Sequence, residues 1–337
     1  MKHRLRMGVA LAVLHSAALG LSVFAVQSAS AAEFELRLGH DQPVSSNYQG
    51  ALEAFAKDVA EKTDNKVEIK LFPGAQLGSE TAMLEGLEVG NIDMSVSAAA
   101  NASTYVPALN MFSAGYLFND AAHFKKVLLD PEFEAALDKK LEAAAPGFRR
   151  VATITAGLRN VYNNKGPVKT LADVEGLKMR VMASPIESQV WGGLGALPLA
   201  MPMGDVYTGM QTGLLQAGEN AASNYVGLKH YEVAPYYSMT GHEWLICFVL
   251  VSDATWNKLP EDIQKAVLDA GNGLSGFSVD FTVENDAKAL KSVSDGGTVK
   301  VNEVDTAPFK AKLQSLQDEV AEKFDAGEIL KRIRDLE

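Results

Sequence analysis

Arg180 is the first residue from which a chemistry can be argued. It stands in Leu177-Lys178-Met179-Arg180-Val181, where Leu177, Met179 and Val181 alternate with Lys178 and Arg180. That period of two predicts a strand with Arg180 off its core face, near the carboxyl end. In open α/β sheets that end is where ligands bind. Ser184-Pro185-Ile186-Glu187 follows at once: a capping serine, a proline in the first turn and a glutamate three residues on. It predicts a helix start, which favours anions nearby. A guanidinium holds a carboxylate through two parallel hydrogen bonds, so the pairing suits an organic acid. The competing reading is a solvated strand arginine, of which Lys178 is the neighbouring example.

Signatures of catalysis are absent. There is no P-loop and no G-x-G-x-x-G. His242-Glu243 opens like a zinc-protease helix, but Ile246 stands at the second histidine position. The serine elbow G-x-S-x-G is missing. Beyond the leader only His40, His123, His230 and His242 remain, without metal-ligand spacing. No metal or cofactor is expected. A periplasmic enzyme acting on a carboxylic acid, with Glu80 or His40 as base, stays open, since catalytic groups need not be close in sequence.

The elements around Arg180 follow from pattern. Phe34, Leu36 and Leu38 alternate with Glu35 and Arg37. Ala51, Leu52, Phe55, Ala56 and Val59 recur at helical spacing, and Val67, Ile69 and Leu71 alternate again. A short helix with Met83, Leu84 and Leu87 leads to a strand over 92–96. Strand, helix, strand, helix, strand implies α/β with a largely parallel sheet. The pattern restarts at a strand over 151–155. Later come a buried strand over 245–251 and a helix opened by Pro260-Glu261-Asp262. Phe309, Leu313, Leu316, Val320 and Phe324 form one stripe on a tail helix, long enough to lie across two domains. Lone Cys247, in an apolar run, is expected to be a buried thiol.

Residues 1–31 predict a cleaved export signal. Lys2, Arg4 and Arg6 precede an apolar stretch, and Ala29-Ser30-Ala31 supplies the cleavage site. The remainder of the 337-residue chain suggests two domains. With 47% hydrophobic and 22% charged residues, a sizeable core is possible. Loss of three basic and no acidic residues takes the formal charge from −11 to −14. That argues against nucleic acid and anionic membrane as partners. It also sets a puzzle, because an anionic ligand must approach an acidic protein.

One ordered block identifies a family. After Leu177–Val181 come Gly195-Ala196-Leu197-Pro198, Met201-Pro202-Met203-Gly204-Asp205-Val206-Tyr207, Met210-Gln211-Thr212-Gly213 and Glu219-Asn220. Gly74-Ala75-Gln76-Leu77-Gly78, Gly90-Asn91-Ile92-Asp93-Met94 and Leu259-Pro260-Glu261-Asp262 extend the likeness over nearly the whole mature chain. The sequence resembles the solute-binding proteins of TRAP (tripartite ATP-independent periplasmic) transporters.

The resemblance implies a two-domain periplasmic binding protein, type II-like, with a hinge, an interdomain cleft and a long C-terminal helix across both domains. Residues 32–155 plus 246–285 would form domain I, and 156–245 plus 286–337 domain II. By family pattern Arg180 bonds the ligand carboxylate. Arg159 matches a second ligand-facing arginine, and Asn220 a cleft asparagine. Met203 takes the place of an aromatic residue against the ligand. His40 and Glu80 fall where first-domain residues can bond ligand hydroxyls, while Trp244 is expected in the hinge-side core. Gln216-Ala217-Gly218 departs from the usual Asp-Gly-Gln or Asp-Gly-Ala, and Ala98 argues against sialic acid.

The implied function is capture of a small organic acid in the periplasm and delivery to a membrane permease, by a monomer. The stretch over 229–237 is similar to members that take uronates and related sugar acids. C4-dicarboxylates and 2-oxo acids stay open as ligands. A chemoreceptor module would need a membrane segment following the charged helix at Glu337.

Overall fold

The computed structural model describes residues 32–337. The export signal expected over 1–31 lies outside the described residues. The first part alternates as its pattern predicts: strand β1 (Phe34–Gly39), helix Asn47–Lys62, strand β2 (Val67–Phe72), helix Glu80–Glu88 and strand β3 (Met94–Ala98). Ser46 caps the first helix by accepting from Gln49 N at 3.3 Å. Ala51, Leu52, Phe55 and Val59 bury its stripe. β1 runs parallel to both β2 and β3, as helical crossovers require.

Two strands then join the halves of the molecule. β4 (Phe148–Asn163) and β8 (Tyr236–Ser252) are 16 and 17 residues long and pair antiparallel along most of their length. With β5 (Lys178–Val181), β6 (Leu197–Ala200), β7 (Ala217–Asn220) and β9 (Lys300–Glu303), the sheet order is β2-β1-β3-β8-β4-β7-β5-β6, and β9 pairs with β8. The sheet is therefore mixed, with parallel pairs on each flank of an antiparallel centre. Both long strands extend far beyond the apolar runs that announced them. Gly157, at φ +115°, and Gly241, at φ +50°, interrupt the alternation, so periodicity showed only one end of each. A bulge between Thr155 and Gly157 faces Ile246 and Leu245. It extracts one residue from the ladder and bends the strand. The boundaries expected at 155/156 and 245/246 fall at this bulge, inside strands that continue through it.

The long helix is present, but it is Glu261–Ser294 rather than the tail. Its 34 residues reach about 51 Å at 1.5 Å each. It packs on β4, on helix Asn47–Lys62 and on helix Ala222–Gly227, so it spans both halves. Its buried face carries Ala270, Gly271, Ser275, Ser278 and Thr282 beside Ile263, Val267 and Leu274. Small residues let it lie directly on β4, and a Cβ at Gly271 would collide with Val151 O. That small and partly polar face made no strong apolar stripe. The stripe of the tail is buried on helix Ala307–Lys323, through Phe309, Leu313, Leu316 and Val320.

Asp286, on the long helix, ties the halves together behind the bulge. Its Oδ1 accepts from Asn47 Nδ2 and from Ser223 N, both at 3.0 Å. Asn47 Nδ2 also donates to Ala156 O at 2.7 Å. Gly157 lies in this junction, where a Cβ would run into Asp286 Oδ2 and stand 2.9 Å from Ala221 Cβ. Backbone strain and collision act in the same direction. Gly157→Ala should therefore lower stability by about 1–3 kcal/mol, read as a fall in urea midpoint at unchanged slope. An unchanged midpoint would mean the bulge tolerates a side chain.

Candidate functional site

A cavity of about 170 Å³ opens between the halves, in front of the bulged strands. Asp41, Glu80 and Asn101 line it from the first half, and Arg180, Met201 and Met203 from the second. A narrower extension reaches Gln42, Arg159, Asn220 and Asn224. Two polar contacts close across the cleft beside it. Ala183 N donates to Asn101 Oδ1 at 3.1 Å, and Ser184 Oγ donates to Asn110 Oδ1 at 2.8 Å. Ser184 also caps helix Pro185–Gly193, accepting from Ile186 N and Glu187 N. The helix start thus positions the strand end, and its first N–H groups are partly spent on the cap.

Arg180 is 3% exposed, unlike its strand neighbour Lys178. Its Nε donates to Met201 O at 2.9 Å, from the loop that follows β6. Its Nη1 is buried with no partner in the protein. Burial, with Arg159 as a like charge nearby, pulls the guanidinium below its ordinary value. A fixed guanidinium with an unused N–H in a cleft is a receptor for an anion. Two other polar atoms of the cavity wall, Gln42 Oε1 and Asn224 Oδ1, are also buried without partners.

Arg159 is buried beside it, but its fork is already engaged. Its Nε bonds Glu219 Oε2, and its Nη2 bonds Glu219 Oε1 at 2.6 Å and Glu219 O at 2.7 Å. Nη1 donates to Asn220 Oδ1 at 3.2 Å. Burial works against the charge, but Glu219, Glu243 and Glu187 outweigh it and hold Arg159 above its ordinary value. Of the expected second-half residues, Arg180 has an unpartnered N–H, whereas Arg159 meets the cavity as the outer face of an ion pair. Asn220 Oδ1 also accepts from Ala221 N and Asn224 Nδ2, which leaves its Nδ2 only Met203 Sδ at 3.8 Å. Met203 lines both parts of the cavity.

In the first half Glu80 faces the cavity, where its carboxyl accepts from Ala98 N and Asn101 Nδ2. Burial, with Asp41 as a neighbouring acid, pushes Glu80 up to about 8. His40 does not line the cavity. It is fully buried one residue back, with Nε2 2.9 Å from Gln49 Oε1 and its ring edge-on to Tyr48. Its neighbour Asp41 takes the place at the wall, with Oδ1 accepting from Gln42 Nε2 at 2.7 Å. Asp41, Gln42, Asn101 and Asn224 escaped the sequence reading because they lie on loops or short turns with no period to read. Trp244 stacks on Phe124 at 5.0 Å within the core. Cys247 is buried and free, with Sγ 3.0 Å from Tyr48 OH.

Behind Arg159 lies a buried polar cluster. Glu219, His242 and Glu243 offer ligand atoms within 4.8 Å of one another. The Arg159 guanidinium already sits among them, with Nε 3.8 Å from Glu243 Oε2, so the protein supplies its own cation. Burial and the Glu219 charge push Glu187 up to about 7, and burial with Glu187 pushes Glu243 well up. Glu219 stays ionised. Burial alone would raise it, but Arg159 and the His242 hydrogen bond hold it down to about 2. Among the described residues no helix is long and apolar enough to cross a membrane.

Comparison with known proteins matches this geometry to one family. The profile of bacterial extracellular solute-binding protein, family 7, matches residues 38–323. The 2,3-diketo-L-gulonate-binding periplasmic protein YiaO of Escherichia coli is 29% identical over 87% of this chain and 88% of its own. A TRAP periplasmic solute-binding protein from Chromohalobacter salexigens, solved with bound D-glucuronate, superposes at TM-score 0.82. It is 30% identical and covers 90% of this chain and all of its own. A TRAP periplasmic solute-binding protein from Sulfurospirillum deleyianum, solved with bound succinate, also superposes at 0.82. It is 25% identical, over 91% of this chain and all of its own.

The Arg159–Glu219 pair yields a test independent of any ligand. Glu219→Gln leaves a buried guanidinium without its counter-charge and should cost about 3–5 kcal/mol at pH 7 by urea unfolding. The sign with pH follows from the depressed carboxyl. The parent protein holds this contribution fully above about pH 4.5 and loses it as pH falls toward about 2. The gap between parent and variant should narrow over that window. A gap that stays constant down to pH 3 would mean that ionisation of Glu219 contributes nothing to the stability of the pair.

Proposed function

We infer that this chain, which belongs to the bacterial extracellular solute-binding protein family 7, captures a sugar acid by its carboxylate on Arg180. It is a solute-binding component of TRAP transport and not an enzyme. The observation that carries the ligand reading is the Arg180 guanidinium, buried in the cleft with Nη1 unpartnered. A ligand carboxylate would take Nη1, with Asn220 Nδ2 beside it and Met203 against the carbon chain. Arg159 would contribute through its charge and through the orientation it imposes on Asn220. Glu80 would meet ligand hydroxyls, with Asp41 rather than His40 at its side.

Capture would proceed by hinge closure. The halves would rotate about the bulge at Thr155–Gly157 and its partner residues in β8, so that the expected domain boundaries act as hinge points. Closure removes water, and charged hydrogen bonds strengthen in the lower dielectric. The closed form would then hand its ligand to a membrane permease, after export to the periplasm directed by residues 1–31. Uronates and related acids are favoured by the relatives that carry diketo-gulonate and D-glucuronate. The relative solved with succinate keeps a dicarboxylate as the second reading.

A thermal-shift screen should give stabilisation with D-glucuronate, D-galacturonate or D-gluconate. Bound ligand adds about 2.7 kcal/mol at a hundredfold excess over its dissociation constant. Arg180→Ala should cost about 2–5 kcal/mol of binding in calorimetry. Arg180→Lys should fall between, since it keeps charge and loses the fork. Unchanged affinity in Arg180→Ala would overturn the carboxylate assignment.

A further inference from the structure

We propose that the Asp41–Glu80 pair commits the cleft to polyhydroxy monocarboxylates and closes it to dicarboxylates. The inference rests on the reading that Arg180 takes the ligand carboxylate, and it concerns the opposite wall. The charged side chains around the cavity and its extension are Asp41, Glu80, Arg159 and Arg180. Arg159 is matched to Glu219, so Arg180 is the one cation of the cavity wall without a carboxylate partner. A first carboxylate uses it. A second would find two acids and a set of uncharged amides.

The geometry of the acids decides what they accept. Glu80 is held in place by Ala98 N and Asn101 Nδ2, one on each oxygen, and Asp41 is braced by Gln42 Nε2. Their remaining lone pairs can accept from hydroxyl groups. A ligand carboxylate has only acceptors, so it would set acceptor against acceptor and charge against charge. Burial and Asp41 push Glu80 up to about 8, and burial also raises Asp41 while Arg180 and Arg159 draw it back. Both shifts report that added negative charge is disfavoured at this wall. Tyr48 is a neutral phenol against Cys247, and burial keeps His40 neutral behind the wall against Gln49. Gln42 Oε1, 95% buried by residue and without a partner, adds another acceptor for a hydroxyl.

The contrast can be made with one atom's oxidation. D-Gluconate and D-glucarate differ at the far carbon, as do D-galactonate and D-galactarate. D-Glucuronate and succinate complete the panel for calorimetry at pH 7.5. At least one of the three monoacids should bind. Each of the three diacids should bind on the order of a hundredfold or more weaker, as like charges in a desolvated site require. A diacid within about a hundredfold of the best monoacid overturns this proposal and leaves Arg180 as the carboxylate receptor. Silence from all six overturns both.

Glu80→Gln keeps the size of the side chain and removes its capacity to ionise. The ratio of monoacid to diacid affinity should then fall by about tenfold, and Asp41→Asn, at the less embedded position, should do the same. A purely structural role for these acids would lower all affinities together and leave the ratio unmoved. Melting temperatures of both variants distinguish that outcome from misfolding.

Discussion

A guanidinium taken out of water has to be given a partner, and the two buried arginines of this cleft are given different ones. Arg159 receives a full carboxylate fork from Glu219. Arg180 receives one backbone carbonyl, Met201 O, and keeps Nη1 unpartnered. An unpaired buried charge is among the costliest features a fold can carry. Here the cost is offset at a distance by Glu219 and Asp41, which act on Arg180 without bonding it. That arrangement fixes the position of the charge while leaving its directional bonding capacity for a guest. The Arg159–Glu219 pair contributes to this, because Arg159 keeps Glu219 ionised close to both arginines.

The scaffold serves the same end. Both arginines, Glu219 and Asn220 stand on strands of one sheet, and β4 carries Arg159 immediately after the Gly157 bulge. A strand is stiff along its ladder and soft at a bulge. In the proposed closure the charged floor of the second half would move as a unit against the wall that bears Asp41 and Glu80. Asp286 and Asn47 mark the back of that joint, and the long helix Glu261–Ser294 lies along it. In that proposal affinity and motion are built from the same few residues of β4.

Much of this was legible in the residues. The first five elements follow from alternation and helical spacing, and Arg180 was singled out by strand parity beside the Ser184 cap together with the family resemblance. What escaped did so for identifiable reasons. The lengths of β4 and β8 were hidden by Gly157 and Gly241, which break the period without ending the strand. The long helix was hidden by a face of Gly, Ser, Ala and Thr that packs by closeness rather than by apolar bulk. Arg159, expected as a second ligand-facing arginine, lies at the cavity's extension, but its engagement by Glu219 depends on the pairing of β4 with β7, 60 residues apart in sequence. His40 and Asp41 are adjacent in sequence, and only the path of the loop after β1 decides which of them reaches the wall.

The acidity of the whole chain then ceases to be a paradox. At physiological ionic strength the field of a surface charge fades over about 8 Å. A ligand inside the cleft responds to the groups that line it, and those carry one uncommitted cation. The formal charge of −14 over residues 32–337 acts mainly on the approach, where it disfavours anions in general and multiply charged ones most. Global repulsion and the local acid pair therefore select in the same direction. Both penalise each added negative charge, and only the first carboxylate has Arg180 to meet it.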